Sequence, residues 1–208
     1  GTPSDLNRGA AGTIYRKVAG QTYGDMIVNN NQTISANPTY SWTLIGPLVT
    51  DTAVGNVQLL GTALLAVSST CTLTAHGSWS NAAGAAAMSG GTVVLAGISP
   101  NPVSVWGDNT WSNLTIATSG KTVNFEKDKT QTVNGTPTFD NGVALLSTQP
   151  GAWWYLQKPG SSTQDVGQVT VQDSNATNGW AFRPSGGNNL GHNVNWIFPP
   201  RGTLFMLR

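Results

Sequence analysis

The sequence predicts an all-β protein whose short strands stack as a parallel β-helix, with a β-sandwich as the alternative. Charged residues make up 9% of the 208 residues, whereas Thr, Ser, Asn and 25 Gly are abundant, a mixture that disfavours helices and suits strands joined by tight turns. The stretch TWSNLTIATSGKTVNFEKDKTQTVNG contains three short apolar runs, LTI, VNF and QTV, each bounded by turn-forming residues. The central residues of three runs along the chain, Val94, Leu114 and Val133, lie about 20 residues apart, which is typical of a solenoid.

The N-terminal part of the chain is predicted to be the least regular. Residues 1–12 contain one Leu and no periodicity, so we expect a flexible or partner-dependent arm. The segments GTIYRKVAG and QTYGDMIVNN alternate apolar and polar residues and predict two strands, the second ending in an Asn-rich turn. The next segment contains Pro38 and Pro47. Because proline cannot donate to a strand ladder, any strands there are edge strands or are interrupted.

The middle of the chain carries the denser apolar runs NVQLLG, ALLAVSS, CTLTAHG, TVVLAG, NPVSVWG and WSNLTIA. Between them, AAGAAAM is short, bounded by glycines and uncapped, and it predicts a loop or tight turn. Val94, Leu114 and Val133 lie centrally in three of the runs, with separations of 114 − 94 = 20 and 133 − 114 = 19. One turn of a solenoid gives such a period, but a β-sandwich with loops of unequal length remains compatible with it.

The sequence also resembles a known class of proteins. GTVVLAGISPNPVSVWGDNTWSNLTIATSGKTVNFEKDKTQTVNGTPTFDNG is similar to the repeating modules of large bacterial surface and secreted proteins, which form filamentous-adhesin-like solenoids. GTIYRKVAGQTYGDMIVNN is similar to the opening of these modules, and ALLSTQPGAWWYLQKPG, QVTVQDSNA and GGNNLGHNVNWIF are similar to their close. The resemblance implies a right-handed parallel β-helix with a structural or adhesive role. We predict a solenoid domain over residues 13–198 and a tail over residues 199–208.

Charge and hydropathy argue against several partners. The formal net charge of +1 offers no basic surface to a nucleic acid or an anionic membrane. No stretch supplies the roughly 20 continuous apolar residues of a membrane span. The resemblance implies an extracellular or cell-surface location, and the opening residues lack signal-peptide regions, so we expect a signal already removed or a fragment of a larger precursor. Cys71, in a strand-like alternation, is predicted to be a small buried side chain.

Carboxylates offer one arrangement suited to polysaccharide cleavage. Glycoside hydrolysis needs two carboxylates on either side of the scissile bond. Asp108 and Asp128 could supply them, because they are 20 residues apart and would lie on adjacent turns, with Glu126 nearby. We interpret these residues as a solvated edge, because FEKDKT alternates charges that keep a turn soluble and discourage lateral pairing. The chain is therefore predicted not to be an enzyme.

Metal ligation has equally little support in the sequence. Asp173 and Asn175 in QDSNAT have the oxygen ligands that calcium prefers, but a turn in which Asx side chains bond their own backbone explains them more simply. His76 and His192 have no companion ligand at zinc spacing. We expect no cofactor.

Trp153, Trp154 and Tyr155 are the candidates for stacking on a partner or a glycan. In a strand they point alternately to opposite faces, so part of the cluster is expected outside. Core packing or a subunit contact is the interpretation we favour, and stacking on sugar rings is the alternative.

The ends of a solenoid present unpaired backbone groups and an open core, which must be covered. Either the two tails cap their own chain, or one end pairs with a neighbouring copy by strand addition, giving a head-to-tail filament. The candidate contacts are Leu6 in the N-terminal arm and Leu204, Phe205 and Leu207 in the C-terminal run. We predict a self-assembling structural or adhesive protein; a carbohydrate-binding module is the first alternative, and a polysaccharide-cleaving enzyme on the same scaffold is the second.

Overall fold

The computed structural model describes residues 12–30, 42–49, 52–83, 86–87 and 89–200, and every regular element in these ranges is a β-strand. In chain order the strands are β1 Gly12–Arg16, β2 Asp25–Asn29, β3 Trp42–Ile45, β4 Ala53–Val54, β5 Val57–Leu60, β6 Leu64–Ala75, β7 Trp79–Asn81, β8 Ala86–Ala87, β9 Ser89–Leu95, β10 Val103–Trp106, β11 Asn109–Trp111, β12 Asn113–Ile116, β13 Thr122–Phe125, β14 Thr130–Val133, β15 Pro137–Phe139, β16 Val143–Ser147, β17 Trp154–Gln157, β18 Thr163–Val171, β19 Ser174–Asn175 and β20 Ala181–Asn189. The all-β prediction is confirmed. Within these ranges no helix is long and apolar enough to cross a bilayer. The predicted tail contacts Leu6, Leu204, Phe205 and Leu207 lie outside the described residues.

The strands form a parallel solenoid of about six turns. Sheet A has the order β1-β2-β5-β7-β10-β13-β16-β18-β20, sheet B the order β15-β12-β9-β6-β3 with β4 also on β6, and sheet C the order β19-β17-β14-β11-β8. Neighbouring strands pair in parallel, apart from the antiparallel pair β1 and β2. A β-sandwich is excluded because its sheets are antiparallel. The hand of the coil and the domain boundaries stay predictions.

The length of one turn follows from the strand register. Leu114 of β12 pairs with Val93 and with Pro137, giving turns of 114 − 93 = 21 and 137 − 114 = 23 residues. The predicted period of about 20 was close to these values. However, Val133 was wrongly placed one turn after Leu114: it lies in sheet C, where its partner is Trp111.

The core is built by alternation along the strands. Buried residues alternate with half-buried ones along β12, β13 and β14, as expected where one face of a sheet is covered. Large aromatic side chains stack inside from turn to turn. Trp79 and Trp111 have ring centroids 4.9 Å apart, and Phe125 and Trp154 have centroids 4.1 Å apart. Burial of side chains of this size is the principal source of stability.

A polar network crosses this apolar core. The indole of Trp79 donates to Asn109 Oδ1 at 3.0 Å, and Asn109 Nδ2 donates to Gln131 Oε1 at 3.0 Å. Gln131 Oε1 also accepts from the indole of Trp111 at 3.2 Å, while its Nε2 donates to the carbonyl oxygen of Gly107 at 2.9 Å. Gln131 is completely buried, so each of its polar atoms requires these partners.

A lysine is also buried in the core. Lys121 has no exposed surface, and its Nζ donates to the carbonyl oxygens of Ala96 at 2.9 Å and His76 at 3.3 Å. Burial lowers the pKa of Lys121 to about 8, because the charged ammonium is poorly solvated there.

The two ends of the described solenoid differ. At the C-terminal end Trp196 forms a bridge with Phe182 and stacks on it at 4.9 Å, and Phe198 stacks on Trp196 at 6.3 Å, so the chain's own aromatic residues cover the last turn. At the other end Leu44 and Leu48 are exposed. The open core is thus covered by the chain itself at the C-terminal end.

Two local predictions need correction. The segment AAGAAAM was expected to be a loop, but Ala86 and Ala87 form β8, which pairs with Asn109 and Thr110 of β11. Pairing to a neighbouring turn, rather than local propensity, decides the conformation of these residues. Cys71 is free and half-buried rather than buried, and it packs against the edge of the core.

Candidate functional site

Strand alternation separates the three aromatic candidates. Trp154 has no exposed surface and stacks on Phe125 in the core, so it is not available for stacking on a glycan. Trp153 and Tyr155 point to the opposite, outer face and are half-buried. The exposed part of the cluster therefore consists of Trp153 and Tyr155.

Tyr155 lies in a polar groove on the outer face of sheet C. Its Cα pairs with Thr130 of β14 on one side and with Asn175 of β19 on the other. The groove has a volume of about 220 Å³ and is lined by Asp128, Thr130, Tyr155, Leu156, Gln157, Asn175 and Asn178. A ring, a carboxylate, a hydroxyl and three amides thus meet on three successive turns. We call this set of residues the sheet C groove.

Asp128 brings the only carboxylate to the lining of this groove. It adopts a left-handed conformation with φ 61°, which Asp tolerates better than most residues, and its backbone N–H donates to the carbonyl oxygen of Trp153 at 2.7 Å. The side chain is exposed and has no hydrogen-bond or ion-pair partner among the described residues. The carboxylate is held at the groove by its backbone and is free to accept hydrogen bonds.

The other two carboxylates of the predicted arrangement, Asp108 and Glu126, bond to the backbone of the turns. Asp108 Oδ1 accepts from the backbone N–H of Thr130 at 2.8 Å, and its Oδ2 lies 3.5 Å from Lys129 Nζ. Glu126 Oε2 accepts from the backbone N–H of Gly107 at 2.7 Å. Asp108 and Glu126 thus each accept a hydrogen bond from the backbone of a neighbouring turn.

A second cluster lies beside the groove, at the turn before β17. The ring of His192 stacks on Trp153 with centroids 4.6 Å apart, and the Trp153 indole donates to the carbonyl oxygen of His192 at 3.2 Å. His192 Nδ1 lies 2.9 Å from Oδ1 of Asp173, whose side chain is buried. Sequence reasoning treated these three residues separately, because only the fold brings residues 153, 173 and 192 together.

Asp173 and Asn175 were considered as calcium ligands. Both carboxylate oxygens of Asp173 are engaged, Oδ1 with His192 and Oδ2 with the backbone N–H of Gly151 at 3.0 Å. Asn175 Oδ1 accepts from the backbone N–H of Thr177 at 3.1 Å, which is an Asx turn. No group of three or more acidic, His or Cys side chains in the described ranges could hold a metal ion.

His76 lies at a separate polar pocket near the other end. Its ring stacks on Tyr23 with centroids 3.8 Å apart, and the pocket of about 320 Å³ also contains Asp25 and Asn56. Burial, and then the positive charge of Lys121, lower the pKa of His76. Asp25 accepts hydrogen bonds from the backbone and side-chain amides of Asn56, both at 2.9 Å, so the polar groups of this pocket serve each other.

Comparisons with protein-family models, curated proteins and solved structures give no match for this chain. The fold is therefore established by the strand pairing alone. The similarity to bacterial surface modules rests on the sequence segments quoted above.

Proposed function

We propose that this protein is a non-catalytic, surface-located adhesive solenoid that binds uncharged glycans in the sheet C groove. The observation that carries the proposal is the free carboxylate of Asp128 beside the half-buried ring of Tyr155. A sugar ring stacks on an aromatic face, and its hydroxyls accept and donate hydrogen bonds at fixed positions around the ring. The groove supplies both kinds of contact.

The groove also selects among glycans. The amides of Gln157 and Asn178 can donate and accept, Asn175 can donate although its Oδ1 closes an Asx turn, and the carboxylate of Asp128 only accepts. A uronic acid would bring a second negative charge to Asp128, and like charges at close range are unfavourable. Neutral chains of hexoses or N-acetylated amino sugars are the expected ligands, and polyuronates are not.

Binding is tested with neutral oligosaccharides, first on a glycan array and then by calorimetry on the array hits. Tyr155→Ala and Asp128→Asn are expected to weaken binding at least about tenfold, which corresponds to about 1.4 kcal/mol for one lost stacking or charged hydrogen-bond contact. Trp106→Ala is the matched control, because Trp106 is an exposed aromatic residue on sheet A, away from the groove. Absence of any glycan binding, or equal loss in all three variants, would overturn the proposal.

The absence of catalysis is tested on the same ligands. Asp108 and Glu126 are occupied by turn contacts, so the groove offers one free carboxylate where hydrolysis needs an acid and a base or nucleophile. We expect no new reducing ends and no unsaturated products after long incubation. Product that disappears in Asp128→Asn would instead make the protein an enzyme.

Self-association is a second candidate function, supported by the uncovered end of the described solenoid. An apolar groove of about 430 Å³ lies there, and among its lining residues are Met26, Leu44, Ile45 and Val54. A neighbouring copy that added to this end would bury apolar surface and give a head-to-tail filament. The extracellular, adhesive setting of such a filament follows from the resemblance stated above.

Sedimentation and negative-stain electron microscopy over a range of concentrations test this second function. We expect concentration-dependent oligomers or fibres that Leu44→Asp abolishes. Ile98→Asp, which changes an equally exposed apolar residue on a loop in the body of the solenoid, should leave them intact. A strictly monomeric protein at all concentrations would contradict self-assembly and leave the glycan proposal untouched.

A further inference from the structure

The outer face of sheet B carries a regular array of short hydroxylated side chains. The side chains come in pairs from four neighbouring strands, β6, β9, β12 and β15. One of them, Thr136, directly precedes β15. We call this set the threonine face, and it consists of Thr72, Thr74, Thr92, Val94, Asn113, Thr115, Thr136 and Thr138. All eight side chains are exposed or half-buried.

The register aligns these residues in two columns. In the first, Thr72 pairs with Thr92 and Thr92 with Asn113, and Asn113 Oδ1 then accepts from the backbone N–H of Thr136 at 2.8 Å. In the second column Thr74, Val94, Thr115 and Thr138 pair successively, without a register shift. Adjacent members of a column are therefore separated by the strand spacing of about 4.8 Å.

The array is rigid and its hydroxyls are available. The residues between the outward positions, such as Leu73, Val93 and Leu114, are buried in the core and fix the backbone. Threonine is branched at Cβ, so its rotamer is restricted and its hydroxyl and methyl are held in defined directions. No threonine hydroxyl of this face has a hydrogen-bond partner among the described residues, and the hydroxyls are left to an external ligand.

The spacing matches the geometry of ordered water. Two oxygens that each hydrogen-bond a common water at about 2.75 Å, in tetrahedral arrangement, are about 4.5 Å apart. Strand spacing exceeds this by about 0.3 Å, so the mismatch over the three intervals of a column is about 1 Å. Asn113 interrupts the first column of hydroxyls and Val94 the second, so the adjacent hydroxyl pairs Thr72–Thr92 and Thr115–Thr138 are the positions that can each hold a bridging water in this arrangement.

We propose that the threonine face binds the surface of ice. The face has no formal charge, which matches an uncharged lattice and offers nothing to an ionic partner. It has no aromatic side chain, so it lacks the stacking surface expected of a polysaccharide site. The threonine methyls and Val94 add apolar groups to the same face. The face is separate from the sheet C groove, and the inference does not depend on the glycan proposal.

The test uses the whole chain in an ice recrystallisation assay, with ice crystal shape recorded during slow growth. The wild type is expected to slow coarsening and to shape the crystals. Thr115→Tyr, at the centre of the array, should abolish most of this activity, because the larger ring holds the lattice away from the neighbouring hydroxyls. Thr132→Tyr is the matched control, since Thr132 is a half-buried outward residue of sheet C.

Circular dichroism melting of both variants shows whether each is folded, and tyrosine is favourable in strands. Loss of activity in a folded Thr115→Tyr with retention in Thr132→Tyr supports the proposal. A wild type that affects ice no more than an inert protein at equal concentration overturns it, as does equal activity in the two variants. Retention on insoluble cellulose or chitin that is sensitive to Thr115→Tyr, without an effect on ice, also overturns it and assigns the face to a polysaccharide.

Discussion

Lys121 donates a hydrogen bond from its buried Nζ to the backbone carbonyl oxygen of Ala96, which lies 2.9 Å away on the preceding turn. The same ammonium reaches the carbonyl oxygen of His76, one turn further back, at 3.3 Å. Both carbonyls follow the last residue of a sheet B strand, where the chain leaves the ladder. Buried carbonyls need partners, and one lysine serves two turns.

Replacing Lys121 is expected to remove a pH dependence of stability. The pKa of Lys121 is lowered to about 8 from the ordinary 10.5, so between these values the unfolded chain binds a proton that the folded chain does not. The free energy of unfolding therefore rises with pH across this window, by at most about 1.4 kcal/mol per pH unit, and is independent of this group below about pH 8. Urea unfolding from pH 7 to 10.5 measures it.

Lys121→Met is the test variant, and Lys127→Met, at an exposed turn position, is its control. The rise should vanish in the first and persist in the second. At pH 10 the folded wild type carries Lys121 as a neutral amine, which still donates to the two carbonyls, so the variant, which lacks this donor, should also be less stable than the wild type at that pH. An unchanged pH slope in Lys121→Met would show that the lysine is solvated in the folded protein.

Gln131→Leu is expected to destabilise the fold although leucine is apolar and similar in size. The change leaves the buried indole N–H of Trp111 without a partner. Asn109 Nδ2 and the carbonyl oxygen of Gly107 each lose a hydrogen bond to Gln131 but keep the 3.0 Å bond between them. An unsatisfied buried donor costs about 1–3 kcal/mol, so we expect a loss of at least about 1 kcal/mol in denaturant unfolding. Gln58→Leu, at a half-buried outward position of β5, should change stability by less than about 0.5 kcal/mol.

Local pattern was sufficient to predict much of the fold. The bounded runs LTI, VNF and TQTV lie in β12, β13 and β14, and the strand ending in DMIVNN is β2. These segments fold as expected because alternation and turn residues act locally. Ala86 and Ala87 did not follow their propensity, since pairing with Asn109 and Thr110 on the next turn determines their conformation.

The site could be predicted only in part, for a related reason. The sequence WWY indicated an aromatic cluster with an exposed side, but not which tryptophan is inside. That choice depends on which alternate residues of β17 face the core, which we call the phase of the strand. Pairing with β14 and β19 fixes this phase. The groove around Tyr155 joins residues from positions 128 to 178, and the His192 stack on Trp153 spans 39 residues. Such long-range neighbours follow from the register, which local sequence does not specify.

The two adjacent tryptophans provide a direct test of this phase. Trp154→Ala removes a buried ring that stacks on Phe125 and should cost about 3–5 kcal/mol, enough to unfold a marginal domain. Trp153→Ala removes a half-buried ring and should cost less than half as much. If the first variant does not fold, Trp154→Phe supplies a smaller, measurable loss. Equal losses for the alanine pair in denaturant unfolding would contradict the assigned strand phase.

Calcium is expected to leave the thermal midpoint unchanged. Asp173 uses both carboxylate oxygens for His192 and Gly151, and Asn175 closes an Asx turn. A ligand that binds only the folded state stabilises it by an amount that grows with the logarithm of the ligand concentration over its dissociation constant, and so raises the midpoint. Calorimetry with excess Ca²⁺ and with EDTA should therefore give the same curve. A midpoint that rises with Ca²⁺ and falls with chelator would place a cation site on the protein.

Asp173 is expected to stabilise the turn before β17 through its conformation as well as its carboxylate. It has a φ of 57° and accepts hydrogen bonds from Gly151 and His192. Asp173→Ala should cost about 1–3 kcal/mol for the lost hydrogen bonds and about 1 kcal/mol more for a left-handed alanine. Asp173→Asn should cost less, because asparagine tolerates this conformation and retains an acceptor. His192→Ala should expose Trp153 and shift its fluorescence to the red, and it should also cost stability, because His192 has a left-handed φ of 54° and its ring is a partner of the Asp173 carboxylate. If Asp173→Asn is as destabilising as Asp173→Ala, the charge of the carboxylate rather than the backbone conformation dominates this turn.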